Sequence, residues 1–317
     1  MKRSIVILYR DLCEEWIDLL EAGGFNTLGL HFVPREKDRE NTMEDYLDWL
    51  EREGHAMIRR IEAKGIAVEH ELHALTYLLP REEFAAHPEW FRVDKEGART
   101  PKHNLCPSSV EALRMVEERT YALATRLKQS GHRYYLWSDD ATDSWCHCAA
   151  CREKSNSDQN ITILRHILAG LRRYDAQAEL CYLAYLGVIE PPTEPIPEGI
   201  FLEYAPIKRN MFKPLIDEEN LPHRKAVERL LETFPAKQAE ILEYWLDVSF
   251  YTKWGKLPPA RVPYIEEVLR ADFEYYSSLG VGAIKTFGAY MDRDYLKRFG
   301  DKEIVDYGRL LKKFSEK

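Results

Sequence analysis

Eight short β-branched or aromatic runs alternate with long amphipathic stretches, and each run ends in polar or aromatic residues. Together these observations predict an α/β fold: one (β/α)8 TIM barrel over residues 1–317, with an insertion after strand 3 and a Cys-rich loop after strand 4. The expected strands run from Ser4 to Tyr9, Asn26 to Phe32, Ile66 to His73, Arg133 to Asp139, Glu179 to Leu186, Gly199 to Tyr204, Glu240 to Asp247 and Ala283 to Tyr290.

Between them, apolar residues recur at three and four, as in Leu113, Val116, Tyr121, Leu123 and Leu127, the spacing of one helix face. Helices are expected from Met43 to Lys64, Ser108 to Gln129, Ile161 to Tyr174, Pro263 to Ser278 and Arg293 to Lys313. Ser108 and Ser109 after Pro107 supply an N-cap and Gly65 a stop. Pro191 to Pro197 reads as a connection whose helix is replaced by a loop, and Leu79 to Leu105 as the insertion lying over the catalytic rim. A doubly wound sheet is the alternative, but no Gly-x-Gly-x-x-Gly turn follows the first strand.

Hydrophobic residues make up 45% of the chain and charged residues 31%, enough apolar material for one large core. A net charge of -8 and a pI near 5.8 weigh against a nucleic-acid partner, which calls for a basic stripe. The apolar run after Lys2-Arg3 is broken by Arg10 and Asp11, too early for a secretory leader, and no membrane span is expected. A cytoplasmic location is therefore the expectation, although a secreted chain trimmed of its leader would read the same. An oligomer is compatible with the sequence.

In such a barrel the chemistry sits at the C-terminal strand ends. Those ends hold Arg10, His31, His70, His73, Trp137, Asp139, Asp140, Tyr185, Glu203, Tyr204, Trp245, Asp247, Tyr251, Trp254 and Tyr290. Rings and carboxylates together suit a carbohydrate, whose C–H faces stack on aromatics while its hydroxyls pair with carboxylates and Arg. The plainer reading of any single ring is core packing. His31, His70 and His73 could instead ligate a catalytic metal, but the His-x-His of barrel amidohydrolases is missing from strand one.

Asp139-Asp140 is the sharpest feature. Adjacent residues at a strand end point in different directions, so one acid can be kept protonated while the other stays charged, the division that glycoside cleavage needs. An Asp-Asp pair is often only a loop start that caps the next segment. Behind a fourth strand and beside Trp137, the catalytic reading is preferred.

Of the six cysteines, Cys146, Cys148 and Cys151 fall within six positions, a spacing that suits a metal better than a disulfide framework. A fourth ligand is expected from Cys106 or from His147, giving a closed structural zinc site, with no cofactor needed for catalysis. A trio of thiols without metal is the alternative. Cys13 and Cys181 read as small buried residues.

The segments HPEWFRVDKEGARTPKHNLCPSS (87–109) and WSDDATDSWCHCAAC (137–151) resemble those of bacterial barrels related to glycoside hydrolase family 20, which carry a Cys-x-Cys-x-x-Cys loop after an acidic strand-four end. The wider hexosaminidase group, including family 123, resembles the chain in placing two adjacent acids there. The resemblance implies that Asp139 orients a 2-acetamido group whose oxygen attacks the anomeric carbon, and that Asp140 is the general acid and base. In the family the second acid is usually Glu, one methylene longer than Asp140. It further implies that Arg10 holds sugar hydroxyls and that Trp245 and Tyr251 wall the acetamide pocket.

The expected activity is thus an exo-acting, retaining β-N-acetylhexosaminidase or β-N-acetylgalactosaminidase with substrate-assisted catalysis on a carbohydrate. One alternative pairs Asp140 with Glu203 or Asp247 on a non-acetylated sugar or uronic acid. Another is a barrel that binds carbohydrate without cleaving it.

Overall fold

A computed structural model describes residues 2–33, 35–36, 39–253, 257–258 and 260–315, with 35–36 and 39–40 described by their backbone alone. Eight strands close into a parallel barrel in sequence order: β1 (Lys2–Leu8), β2 (Thr27–His31), β3 (Ala67–His73), β4 (Arg133–Trp137), β5 (Glu179–Ala184), β6 (Ile200–Tyr204), β7 (Glu240–Glu243) and β8 (Ala283–Phe287). The chain closes on itself where β1 pairs in parallel with both β2 and β8. All eight expected strands are present, as is the interleaved helical pattern.

Six of the strands end earlier than the sequence suggests, while β3 and β6 end at His73 and Tyr204 as expected. Asp139 and Asp247, expected inside strands, lie beyond them and accept backbone N–H groups of Thr76 (3.1 Å) and Ser249 (2.8 Å). The stretch from Met43 is helical as expected and begins with a capping box between Thr42 and Asp45. It carries a π-turn at Leu50–Gly54, where a Cβ on Gly54 would lie 2.7 Å from the Trp49 ring. The last expected helix is broken into Arg293–Phe299 and Lys302–Ser315 at Gly300, whose φ of 77° only glycine adopts without strain. Between β5 and β6 the described residues hold a 3-10 turn, Leu186–Val188, and the proline-rich loop in place of a helix.

The residues cluster into two compact units, Met1–Glu71 with Tyr204–Lys317, and Leu72–Glu203. In the first unit, inward-facing positions carry charge as well as aliphatic groups. Lys285 pairs with Glu71 (2.8 Å) and Glu240 (3.4 Å), and Lys2 with Glu240 (3.0 Å) and Glu69 (2.5 Å). Between sheet and helix, Arg209 is fully buried and pairs with Glu243 (3.0 Å) and with Asp272 on the helix Glu266–Ser278.

The second unit is organised by two long helices, Val110–Leu127 and Asn156–Tyr174. Ser109 caps the first as expected, its hydroxyl accepting from the Ala112 N–H. The helices approach so closely that a Cβ on Gly170 would meet the Glu117 carbonyl at 2.4 Å. That contact seats the helix whose N-terminal turns hold Gln159 and Asn160 beneath the loop after β4.

Candidate active site at the fourth strand end

β4 is almost wholly buried up to Trp137, and the chain emerges at Ser138. Two neighbours fix that exit. The Ala74 N–H donates to the Trp137 carbonyl (2.9 Å), and His73 Nδ1 meets the Ser138 carbonyl at 2.5 Å, so this nitrogen carries the proton. The Ser138 hydroxyl donates to Asn160 Oδ1 (2.7 Å).

The two acids then part, as the strand-end geometry requires. Asp139 turns into the protein with 8% of its side chain exposed. Its Oδ1 accepts from the Thr76 N–H (3.1 Å) and hydroxyl (3.0 Å), and its Oδ2 from Arg81 (2.5 Å). Burial pulls the Arg81 guanidinium below its usual range against the opposing pull of Asp139. The Asp139 N–H donates to Asn104 Oδ1 (2.9 Å), and Asn104 Nδ2 donates to the Ser144 hydroxyl (3.1 Å). Asp140 turns outward, is exposed, and accepts from the Tyr185 hydroxyl (3.0 Å). Below Tyr185 lie His73 (ring centroids 6.3 Å apart) and Trp137, which packs edge-on to His73 at 5.2 Å.

The structure therefore brings His73, Trp137, Asp139, Asp140 and Tyr185 together. Trp137 is 2% exposed and its indole N–H points at Cys181 Sγ (3.3 Å), so it forms the floor and offers no open face for a sugar to stack on. The cavity beside Ser138, Asn160, Cys181 and Tyr185 holds about 20 Å³, room for a water and not for a pyranose.

Several expected sugar contacts face elsewhere, because strand residues alternate between barrel and helices. His70 turns outward to the Tyr46 hydroxyl on a covering helix. Tyr204 donates to the His223 carbonyl (2.9 Å), and Trp245 donates to Asp272 (3.2 Å) and packs on Phe273. His31 is 4% exposed with Nδ1 on the Glu71 carbonyl. Glu203 is fully buried and accepts from the Cys181 thiol (3.2 Å). Asp247 is 4% exposed, caps the turn Val248–Tyr251, and is pushed by burial up to about 6.

Arg10 is half-buried, with Tyr9 and Asn41, on an open groove of about 660 Å³. Tyr251 is half-buried against Phe212. Tyr290, at φ 63°, is 9% exposed and donates its N–H to Asp11. Trp254 lies outside the described residues.

Thr76, Arg81, Asn104 and Asn160 were not singled out from the sequence. Each is an ordinary loop or helix residue until folding sets it beside β4, and only the place of Arg81 and Asn104 near the ends of the rim insertion hinted at a role.

The cysteine expectation is met in position. Cys106, Cys146, Cys148 and Cys151 place all four sulfurs within 4.8 Å of one another, so the fourth member is Cys106, while His147 turns toward Asp143. Short bridges between Phe91 and Leu105 and between Val93 and Arg99 shape the insertion that delivers Cys106.

Solved structures share this fold at low identity. A β-N-acetylhexosaminidase from Bacteroides fragilis has TM-score 0.59 and 14% identity, covering 97% of this chain and 66% of that one. A mutant O-GlcNAc hydrolase of Thermobaculum terrenum likewise has TM-score 0.59 and 14% identity, over 97% of this chain and 59% of that one. A family 5 lichenase from Caldicellulosiruptor sp. F32 has TM-score 0.53 and 12% identity, over 95% and 84%. This chain thus spans less than two thirds of the length of the first two. No curated protein matches it in sequence. A family model described as Domain of unknown function (DUF4838) matches residues 24–299, and the chain belongs to that family.

Proposed function

We propose that residues 1–317 form one catalytic barrel domain that hydrolyses glycosides, with Asp140 as general acid and base. The observation that carries this reading is the split of the acid pair: Asp140 is exposed at the end of β4 and held by Tyr185, while Asp139 beside it is fixed by Arg81 and Thr76. Asp140 protonates the departing glycosidic oxygen and then takes a proton from the water that completes hydrolysis.

The nucleophile in this reading is the acetamide oxygen of a β-linked N-acetylhexosamine, which closes on the anomeric carbon as the aglycone leaves. Support comes from the two carboxylates weighed as direct nucleophiles. Glu203 is sealed in the barrel and Asp247 caps a turn, so neither offers the open carboxylate that a non-acetylated sugar would need. The β-N-acetylhexosaminidase of Bacteroides fragilis and the O-GlcNAc hydrolase of Thermobaculum terrenum, which share the fold, are consistent with it.

Asp139 has both oxygens occupied by the protein, and we assign it a positioning role in place of direct contact with the acetamide. The four cysteines are read as the ligands of a structural zinc ion.

A chromogenic panel of N-acetylated and plain hexosides tests the proposal. Turnover of N-acetylhexosaminides, inhibition by a thiazoline mimic of the cyclised intermediate, and a 10²- to 10⁴-fold loss in Asp140→Asn are expected, the ordinary worth of a general acid being about that much. Binding of sugars by calorimetry without turnover of any glycoside would replace it with the non-catalytic reading.

A further inference from the structure

We propose that Cys106, Cys146, Cys148 and Cys151 bind one zinc ion as four thiolates, and that this centre, acting through Asn104, fixes the backbone that carries Asp139 and Asp140. The first part stands independently of any glycosidase activity.

The sulfur spacing fits the ion. Cys106 Sγ lies 3.6 Å from Cys146, 3.8 Å from Cys148 and 4.0 Å from Cys151. A zinc ion with bonds near 2.3 Å to four sulfurs at tetrahedral corners separates them by about 3.8 Å. Two disulfides would draw the sulfurs into two close pairs, whereas Cys106 is nearly equidistant from its three partners. Four sulfur ligands leave no position open for water or substrate, which makes the site structural.

Groups around the cluster hydrogen-bond the sulfurs and the turn that carries them, which orients ligands toward an ion. The Val93 N–H points at Cys146 Sγ (3.4 Å), and the Ser108 hydroxyl lies 3.0 Å from Cys106 and 3.6 Å from Cys148. The Gln159 amide accepts from the Cys146 N–H (3.0 Å) and donates to the carbonyls of Cys146 (3.1 Å) and Cys151 (3.3 Å), holding the turn from helix Asn156–Tyr174. Around this cluster the insertion consists of 3-10 turns, Arg81–Ala85 and Pro88–Trp90, and single β-bridges, so little regular structure would hold it without an ion.

The route to the acids is short. Asn104 is fully buried two residues before Cys106, and Ser144 stands two residues before Cys146. Asn104 bonds the Asp139 N–H through Oδ1 (2.9 Å) and Ser144 through Nδ2 (3.1 Å), and Ser144 bonds the Ala141 carbonyl (3.1 Å). A bridge thus spans the Asp pair from 139 to 144 through Asn104, and Asn104 and Ser144 each stand two residues before a cysteine of the cluster. Asn104 is a positioning residue in this scheme: it touches the backbone of Asp139 and not the substrate.

The test reads metal and amide exchange, not turnover. Protein purified without chelators is analysed for metal, reloaded with Co²⁺, and followed by hydrogen exchange with and without zinc removal. Expected are one zinc per chain, the d–d bands of Co²⁺ in a tetrahedral thiolate site, and a fall in zinc affinity in Cys148→Ser, which removes a sulfur from the ion, larger than the roughly 10- to 100-fold that follows loss of a group that only hydrogen-bonds a ligand. Zinc removal should speed exchange in segments 88–106 and 138–151 by at least about 10-fold while helix Glu266–Ser278 stays protected. Asn104→Ala should retain zinc yet speed exchange at the Asp139 amide by at least about 10-fold.

Bound iron, or two disulfides with no Co²⁺ uptake, would overturn the zinc assignment. An unchanged Asp139 amide in zinc-replete Asn104→Ala would overturn the link to the acids. If Cys148→Ser fails to fold, the metal content and Co²⁺ spectrum of the unaltered chain still decide the first part. A glycoside panel without turnover would leave all of these readouts standing, so failure of the proposed activity is separable from failure here.

Discussion

The Arg81–Asp139 pair gives the sharpest way to separate holding the site from touching the substrate. Arg81 is 23% exposed and Asp139 8%, between the fully buried pairs whose rupture costs about 3–5 kcal/mol and the surface pairs worth under about 1. Arg81→Met leaves Asp139 with the two donors of Thr76, so its carboxylate is not orphaned, and a cost of about 2 kcal/mol is expected. Asp139→Asn keeps the acceptor for Thr76 and sets an NH₂ group against the guanidinium, for a similar cost.

Because each single change already breaks the pair, the double variant should cost about 1–2 kcal/mol less than the two singles together. Urea denaturation of the four proteins measures this, and kcat for an N-acetylhexosaminide is measured in parallel. A positioning role predicts that Arg81→Met and Asp139→Asn lower kcat by the same factor, within about threefold. If Asp139→Asn is instead about 100-fold worse than Arg81→Met at similar stability, Asp139 meets the substrate and the positioning assignment is wrong.

Other expectations follow from single features. With Asp140→Asn, loss of the acid should be deep for glycosides with basic leaving groups and shallow for dinitrophenyl glycosides, which depart unprotonated; an equal loss on both would remove Asp140 from the acid role. Glu243 is pushed up to about 7, chiefly by burial and against the pull of Arg209. A raised carboxyl contributes stability that is full below its unfolded value near 4.5 and lost as pH rises through about 7. Wild type should therefore lose stability across that window and Glu243→Gln much less, so parallel denaturation midpoints in the two proteins would refute the assignment. Gly170→Ala should destabilise by about 1–3 kcal/mol, since its Cβ meets the Glu117 backbone at 2.4 Å; an unchanged urea midpoint would show that the helices can part freely.

The sequence by itself determined the fold class, the eight strands and the gathering of acids and rings at their ends, because hydrophobic period and strand count are local, repeated signals. It also singled out Asp139, Asp140, Tyr185 and the four cysteines, since adjacency and Cys-x-Cys-x-x-Cys spacing are visible along the chain. It did not decide which way a residue faces: His70 and Tyr204 sit where a rim residue would, but the pleat turns them to the helices, and Trp245, in the turn after β7, donates to Asp272 on a helix. Nor did it distinguish the two acids. Asp139 is turned inward by Thr76 and Arg81, and its backbone is held by Asn104. Those partners lie 35 to 63 residues away in the chain. Only tertiary structure supplies a counter-charge and a set of donors from so far off, and so only tertiary structure left Asp140 as the exposed acid.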